Sequence, residues 1–332
     1  MPRLRRVRPT DPGWTRAGKG NRVRYLDQAG AQITDPAVLA RIRGLVIPPA
    51  WHDVWICPLE NGHIQATGLD DAGRRQYLYH PQWRARRDRA KHEHVLEVAA
   101  RLPAARRRVR QDLLQPGLPR TKVLALAFRL LDLAYFRAGG EAYAKANGSY
   151  GLATLRREHV RAVPQGVRFR YPAKSGQVRD VVVDDPGVRE LVGQLRRRRG
   201  EPPELLMYRD GRAWKRVTTG DIAGYVKELL GEDARPKDFR TWHATVLAAQ
   251  ALGQAGAPPA AERARRRVLT SVVRAVADEL GNTPAVCRAA YIDPRLLDLW
   301  ERGAPFPATR SERVAEEAVL SLLGPQEESA AA

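Results

Sequence analysis

The chain has 332 residues, 43% of them apolar, with 57 Lys and Arg against 37 Asp and Glu and a formal net charge of +20. That length fits one large domain or two modest ones with a real core. The charge excludes a neutral metabolic enzyme as the default and favours a polyanionic partner, nucleic acid ahead of an acidic membrane surface. Cys57 and Cys287 are the only cysteines, which excludes a disulfide framework and a Cys-rich zinc site and fits a reducing compartment. No apolar run reaches the roughly 18 residues of a spanning helix. The best, Val123 to Phe136, contains Arg129 and Asp132 and reads as a buried helix. The start MPRLRRVRPTDPGW is basic without an apolar core, so it is not a secretory signal. A soluble cytoplasmic protein is expected.

In chain order, Val23 to Tyr25 and Ile33 flank a turn at Asp27-Gln28-Ala29-Gly30, and Asp35-Pro36 opens a short helix. Strand-like DVWIC, HIQATG and RQYLYH follow, separated by LENG and DDAG turns. The Arg-rich stretch Pro81 to Asp88 reads as a linker or a helix start. Apolar periodicity then predicts helices at 89–101, 103–114, 119–137, 185–198, 219–230, 238–254, 259–280 and 309–323. HVRAV, VRFRY and VRDVVV form a β-island among them, with AKSGQ as its second turn. The tail PQEESAAA is expected to be disordered. The fold class is α+β: a small β-rich domain over 1–90, then a mainly helical domain over 91–332 with a small sheet at about 159–183.

Two motifs are discounted. Gly13-Trp-Thr-Arg-Ala-Gly18-Lys19-Gly20 resembles a P-loop but lacks the Ser/Thr for Mg²⁺ and a preceding strand. His92-Glu93-His94 lacks a third ligand at metal spacing and reads as a surface helix. There is no GxSxG elbow and no carboxylate cage for two-metal nuclease chemistry. Arg clusters at 106–110, 196–199 and 263–267 read singly as solvated helix faces and jointly as phosphate contacts.

Basic and hydroxyl residues in short, distinctive contexts remain: FRAGGEAY with Arg137, PAKSGQV with Lys174, KDFRTW with Arg240, and GNTPAVCRAAYIDP with Asn282 and Tyr291. Phosphodiester transfer without metal needs a nucleophile, and a Tyr hydroxyl can form a phosphotyrosyl ester. It needs fixed cations on the non-bridging oxygens, where Arg offers a bidentate fork. It needs a proton for the leaving 5′-oxygen, which a hairpin Lys can give, and a further donor to orient the phosphate. Each residue also has a plainer reading. Tyr291 can be core, Arg137 a helix C-cap partner, Lys174 a solvated turn, Arg240 an ion pair with Asp238, and Asn282 an N-cap before Thr283-Pro284.

These segments resemble the type IB DNA topoisomerases of the small poxvirus-like and bacterial kind. The resemblance runs from GWTRAGKGNRVRYLD through LVIPPAWHDVWICP, GHIQATGLDDAGRRQYLYHPQW, NGSYGLATLRREHV and KDFRTW to the Tyr291 segment. It implies a C-shaped clamp on duplex DNA, with Tyr291 attacking a phosphodiester to form a 3′-phosphotyrosyl link. It also implies that Arg137 and Arg240 hold the scissile phosphate and that Lys174 protonates the leaving oxygen. Strand swivelling and religation then relax supercoils without ATP, metal or small-molecule cofactor, in a monomer associated with the nucleoid. Gln76, Tyr77, Tyr79 and Tyr143 match DNA-contacting positions; Tyr77 and Tyr79, two apart on a strand, would face the same side, unless both rings pack in the sheet's core.

Three departures stand out. Asn282 occupies the place of a His nine residues before the nucleophile; an amide donates a hydrogen bond but carries no titratable proton. Gly140 and Ala142, on a helix taken to start at Arg137, replace basic residues that approach DNA. Asp293 brings a negative charge near the scissile phosphate. A tyrosine recombinase shares the Arg–Lys–Arg–Tyr set but usually has His-x-x-Arg, where this chain reads Lys237-Asp-Phe-Arg240, and usually has a helical N-terminal domain. A non-catalytic architectural DNA-binding protein would explain the charge but not the nucleophile.

Overall fold

Proline at the first helical position, behind a capping side chain, starts much of the helical structure. Asp35 accepts from Ala37 N–H at the start of α1 (Pro36–Gly44), as Asp185 does from Val188 N–H at α5 (Pro186–Arg196). Thr283 and Asp293 do the same for α9 (Pro284–Ala290) and α10 (Pro294–Glu301). The computed structural model describes residues 3–18 and 20–324, apart from the side chains of residues 21, 142, 143 and 175. The expected disorder of the tail and the position of Lys19 lie outside the described residues.

The chain divides into two compact units, Met1–Lys91 and His92–Ala332. In the first, β1 (Trp14–Ala17), β2 (Arg24–Leu26), β3 (His52–Ile56), β4 (Ile64–Leu69) and β5 (Arg75–Tyr79) form an antiparallel sheet in the order β2-β1-β3-β4-β5. Ile42 of α1 packs with Val54, Ile56 and Ala66 of the sheet. β1 runs through the P-loop-like motif itself, and Gly13 lies against the Trp55 indole, where any Cβ would fall 2.1 Å from Nε1. That glycine serves packing.

Sequence reading left 81–88 as a linker or a helix start, of which the structure has the helix start, and put a helix break at Pro103. The structure has a single helix, α2 (Pro81–Leu113), through both. Val95, Leu96, Val98, Ala99, Leu102, Ala105 and Val109 are all buried, and this packing outweighs the cost of an internal proline.

The second unit is built on α3 (Arg120–Ala134), apolar and buried around nearly its whole circumference, as expected for a helix inside a core. α4 (Glu141–Asn147) follows, then an antiparallel sheet of β6 (Val160–Val163), β7 (Gly166–Pro172) and β8 (Val178–Val183), then α5. A two-stranded pair, β9 (Met207–Asp210) and β10 (Ala213–Arg216), precedes α6 (Thr219–Leu230), α7 (Pro236–Ala255) and α8 (Glu262–Leu280). After α9 and α10 comes α11 (Glu312–Leu323), which packs on α7. The fold is α+β, a β-sheet region followed by a mainly helical core.

Candidate active site

α3 stops because Tyr135 takes a left-handed conformation, φ 58°. Phe136 then turns inward, edge-on to Phe169 and stacked on Tyr171. This leaves Arg137 on a loop rather than at the start of a helix, as the sequence had suggested. Two glycines shape the loop. Gly139 has φ +84°, and a Cβ on Gly151 would lie 2.4 Å from the Gly139 Cα, so the two backbones touch. Leu152 N–H donates to the Arg137 carbonyl at 2.9 Å and Ala153 N–H to Ala138 at 2.8 Å. The glycines are there for this close approach, which replaces the C-cap reading.

Arg240 lies in the first half of α7, 2% exposed. Asp238 is not its partner: that carboxylate accepts from Arg235 N–H in a capping box and faces His94 Nε2 at 3.2 Å. Arg240 instead donates from Nη1 to the Tyr135 carbonyl and from Nη2 to the Leu280 carbonyl at 2.9 Å. It thus joins the C-terminal ends of α3 and α8, where helix dipoles favour a cation. Arg179 of β8, which sequence reading missed, does likewise at Glu279 and Ala134. No local sequence pattern announces such long-range bonds to carbonyls.

Gly281, φ +62°, ends α8, and Asn282 N–H returns to the Ala277 carbonyl at 2.9 Å. Thr283 is the N-cap of α9, so the Asn282 side chain is not needed as one. Its Oδ1 accepts from Arg137 Nη2 at 2.7 Å. Its Nδ2 and the Nε of Arg240 are buried donors without a protein acceptor. Buried donors are costly unless matched, and an oxyanion would match both.

Tyr291 caps the C-terminal end of α9, half-buried, with the Arg240 guanidinium carbon 5.2 Å from its ring centre. Burial pushes the phenol up in pKa, but Arg240, then Arg137 and Lys174, more than offset this and hold it below the ordinary tyrosine value. Burial and the neighbouring Arg137 bring Arg240 down to about 10, opposed by Tyr291, so this centre holds more positive charge than it neutralises. Lys174 sits exposed on the short helical turn Lys174–Gly176 at the β7–β8 hairpin tip, closed by Ala173 N–H to the Gln177 carbonyl at 2.7 Å. The structure therefore groups Tyr291, Arg240, Arg137 and Asn282, with the Lys174 charge acting on the same phenol.

Asp293, expected to bring negative charge to the phosphate, is 2% exposed and committed elsewhere. It caps α10, binds Arg295 at 2.7 Å and faces His92 Nδ1 at 3.8 Å. The His-Glu-His segment is therefore no surface patch. His92 and His94 meet the carboxylates that stand two residues after Tyr291 and two before Arg240.

In the first unit, Tyr77 and Tyr79 are 41% and 45% exposed, with rings stacked 5.8 Å apart at 10°. They are not core residues. Gln76, on the opposite face of β5, donates to Asp70 at 2.9 Å, which separates it from the tyrosines. Tyr143 belongs to α4, but its side chain lies outside the described residues.

Residues 22–70 match the family model for the bacterial DNA topoisomerase IB N-terminal domain, and residues 80–296 match that for the eukaryotic DNA topoisomerase I catalytic core. The chain is 28% identical over 275 residues to a DNA topoisomerase 1B of Acanthamoeba polyphaga mimivirus, covering 81% of each chain. No helix among the described residues is long and apolar enough to cross a membrane. With a core match spanning more than half of its length, the chain belongs to the type IB topoisomerase family and is a DNA topoisomerase.

Proposed function

We propose that the protein relaxes supercoiled duplex DNA by cutting one strand through a 3′-phosphotyrosyl intermediate, letting it swivel, and resealing it. The Tyr291 phenol gives its proton to solvent and its oxygen attacks phosphorus. Arg240 and Arg137 hold the non-bridging oxygens as charge grows on them, and Asn282 Nδ2 donates to one of them. The bond to the 5′-oxygen breaks as the Lys174 ammonium supplies its proton. The freed 5′-hydroxyl later attacks the phosphotyrosine, and the phenolate leaves. Each step exchanges one phosphoester for another, so no ATP is required, and Arg240, Arg137 and Lys174 supply the charge stabilisation and the proton for which other phosphoryl transfers use a metal. One chain carries the whole set, which supports a monomer acting on DNA in the cytoplasm.

The observation that carries this reading is a tyrosine hydroxyl held below its ordinary pKa beside two arginines, with two buried donors that lack acceptors. Contact with the duplex has its own support. Arg75, Tyr77 and Tyr79 share the exposed face of β5. On the Lys174 sheet, Arg161 and Arg168 stand directly opposite each other around a cavity of about 410 Å³ that Arg170 also lines. Like charges so paired repel, and Asp180 pairs Arg168 and Arg170; with Glu158 also in the lining, three arginines face two carboxylates, which leaves positive charge for a phosphate backbone.

The test is incubation with supercoiled plasmid in EDTA without ATP. A ladder of relaxed topoisomers supports the reading. Shifted but unrelaxed plasmid would point to architectural binding, and products needing two specific sites to recombination.

A further inference from the structure

Beneath the reaction centre lies a buried ionic cluster that the steps above do not use. Three residues after Arg240 on α7, His243 is 1% exposed and faces a carboxylate with each ring nitrogen. Nε2 lies 3.1 Å from Asp132 of α3 and Nδ1 3.0 Å from Glu312 of α11. Arg106 of α2 joins the same helices, with paired bonds to Asp132 and to Glu316 of α11, all between 2.6 and 2.8 Å. Trp242, between Arg240 and His243, donates its Nε1 to Glu316 at 3.0 Å. The His243 ring lies 5.0 Å from that of Tyr135, whose carbonyl receives Arg240 Nη1.

His243, Glu312 and Glu316 stand close enough together to suggest a cation site. The chemistry is wrong for one. Both imidazole nitrogens face carboxylates, so both carry protons and neither offers a lone pair, and Arg106 already occupies Glu316. The cluster is instead a closed set of ion pairs linking α2, α3, α7 and α11. Glu312 and Glu316 lie beyond the residues that either family model matches.

The packing gives the cluster a task. Arg240 is buried and repelled by Arg137; the Tyr135 and Leu280 carbonyls anchor its guanidinium from the scaffold side, and its remaining contact is with the Tyr291 nucleophile itself. Its place depends on where α7 and the Tyr135 turn sit, and both rest on His243 and Trp242. We propose that α11 braces the reaction centre: Glu312 and Glu316, acting through His243, Trp242 and Arg106, are positioning residues for Arg240. The inference rests on the reading of Arg240 as the cation that stabilises the transition state.

The brace depends on pH. Burial lowers His243, but Asp132 and Glu312 overcome this and raise it to about 9; the Tyr135 ring and, through the shared acids, Arg106 complete its surroundings. A raised imidazole contributes fully below its ordinary value and loses its contribution as pH rises through about 9. Without the Glu312 charge that loss comes at lower pH.

The test is single-turnover cleavage of a duplex with one strong site by Glu312→Gln and Glu316→Gln across about pH 6 to 10, with duplex binding measured in parallel. Binding should stay within about twofold, because Glu312 and Glu316 make their bonds to His243, Trp242 and Arg106 within the fold, and cleavage should slow roughly 10- to 100-fold, as for a small misplacement of a catalytic group. In Glu312→Gln the alkaline fall of the rate should move to lower pH, and Glu312→Asp should restore part of it. Parent-like cleavage with an unmoved alkaline limb overturns the proposal, even if melting temperature falls. If the variants do not fold, NMR titration of His243 in the parent decides: its midpoint must coincide with the alkaline fall of cleavage, and a rate flat through that midpoint overturns the proposal. A parent that forms no Tyr291 adduct in the same assay removes the underlying reading of Arg240 instead.

Discussion

In the proposed mechanism one Asn282 amide has two tasks: its oxygen holds Arg137, and its buried nitrogen, without a protein acceptor, donates to the phosphate. Asn282→Ala loses both, and its cleavage rate should fall by about 10²–10³, the typical cost of one oxyanion donor. Asn282→His keeps a donor and, in the right tautomer, an acceptor for Arg137, so it should retain more activity than Ala. An Ala variant cleaving as fast as the parent would mean that Asn282 makes no phosphate contact. Lys174 differs in kind: its side chain is exposed at the hairpin tip, its charge acts on the Tyr291 phenol, and the proposed mechanism uses its proton rather than its place in a buried network. Lys174→Ala should cleave ordinary DNA about 10²- to 10⁴-fold more slowly. A 5′-bridging phosphorothiolate should restore most of that rate, because a thiolate leaves without a proton. Absence of rescue would assign the proton to another group.

The loop carrying Arg137 works only if two backbones touch. A methyl group at Gly151 would strike the Gly139 backbone, although its own φ of −146° suits any residue. Gly151→Ala should therefore destabilise by about 1–3 kcal/mol and slow cleavage at least tenfold by displacing Arg137. Gly140→Ala, extended and with nothing within 4 Å of the added carbon, should leave both unchanged. Melting temperature and single-turnover cleavage check the pair, and equal effects would contradict the steric argument. This contrast also shows what the sequence could disclose. FRAGGEAY marked the place of Arg137, but the touching partner lies twelve residues on and no local rule names it. The sheet strands β3 to β5 and the long helices α3, α6, α7 and α8 were legible from periodicity and turn residues. The short helices were legible only in part: α4 was started too early, at Arg137, α9 was read only through a cap assigned to Asn282, and α10 was not read, because seven or eight residues hold too few turns to show a period. α2 was cut at Pro103 because local propensity cannot register the packing that keeps it whole. His92 and His94 read as surface because their partners, Asp293 and Asp238, are distant in sequence. Asp293 read as a charge near the phosphate for want of the same information.

At the scale of the whole molecule, charge and chemistry have different ranges. The net charge of +20 acts over the duplex and should make binding steeply salt-dependent. With about 6–10 phosphates neutralised, affinity should fall by 10³- to 10⁵-fold between 50 and 200 mM salt. A nearly flat response in a binding titration would mean that the arginine clusters do not face DNA. The chemistry acts only within reach of Tyr291, where the charge is concentrated by burial and by two helix ends. Removing the hydroxyl alone should leave that field, and hence duplex binding, nearly intact. The most direct measurement is therefore denaturing gel analysis of the parent and of Tyr291→Phe with DNA labelled on the 3′-phosphate side of the nick. The parent should form a covalent protein–DNA adduct whose peptide maps to Tyr291, with a free 5′-hydroxyl on the other fragment, and the Phe variant should bind without forming one. An adduct that persists in Tyr291→Phe, or one joined through a 5′-phosphate, would contradict the account.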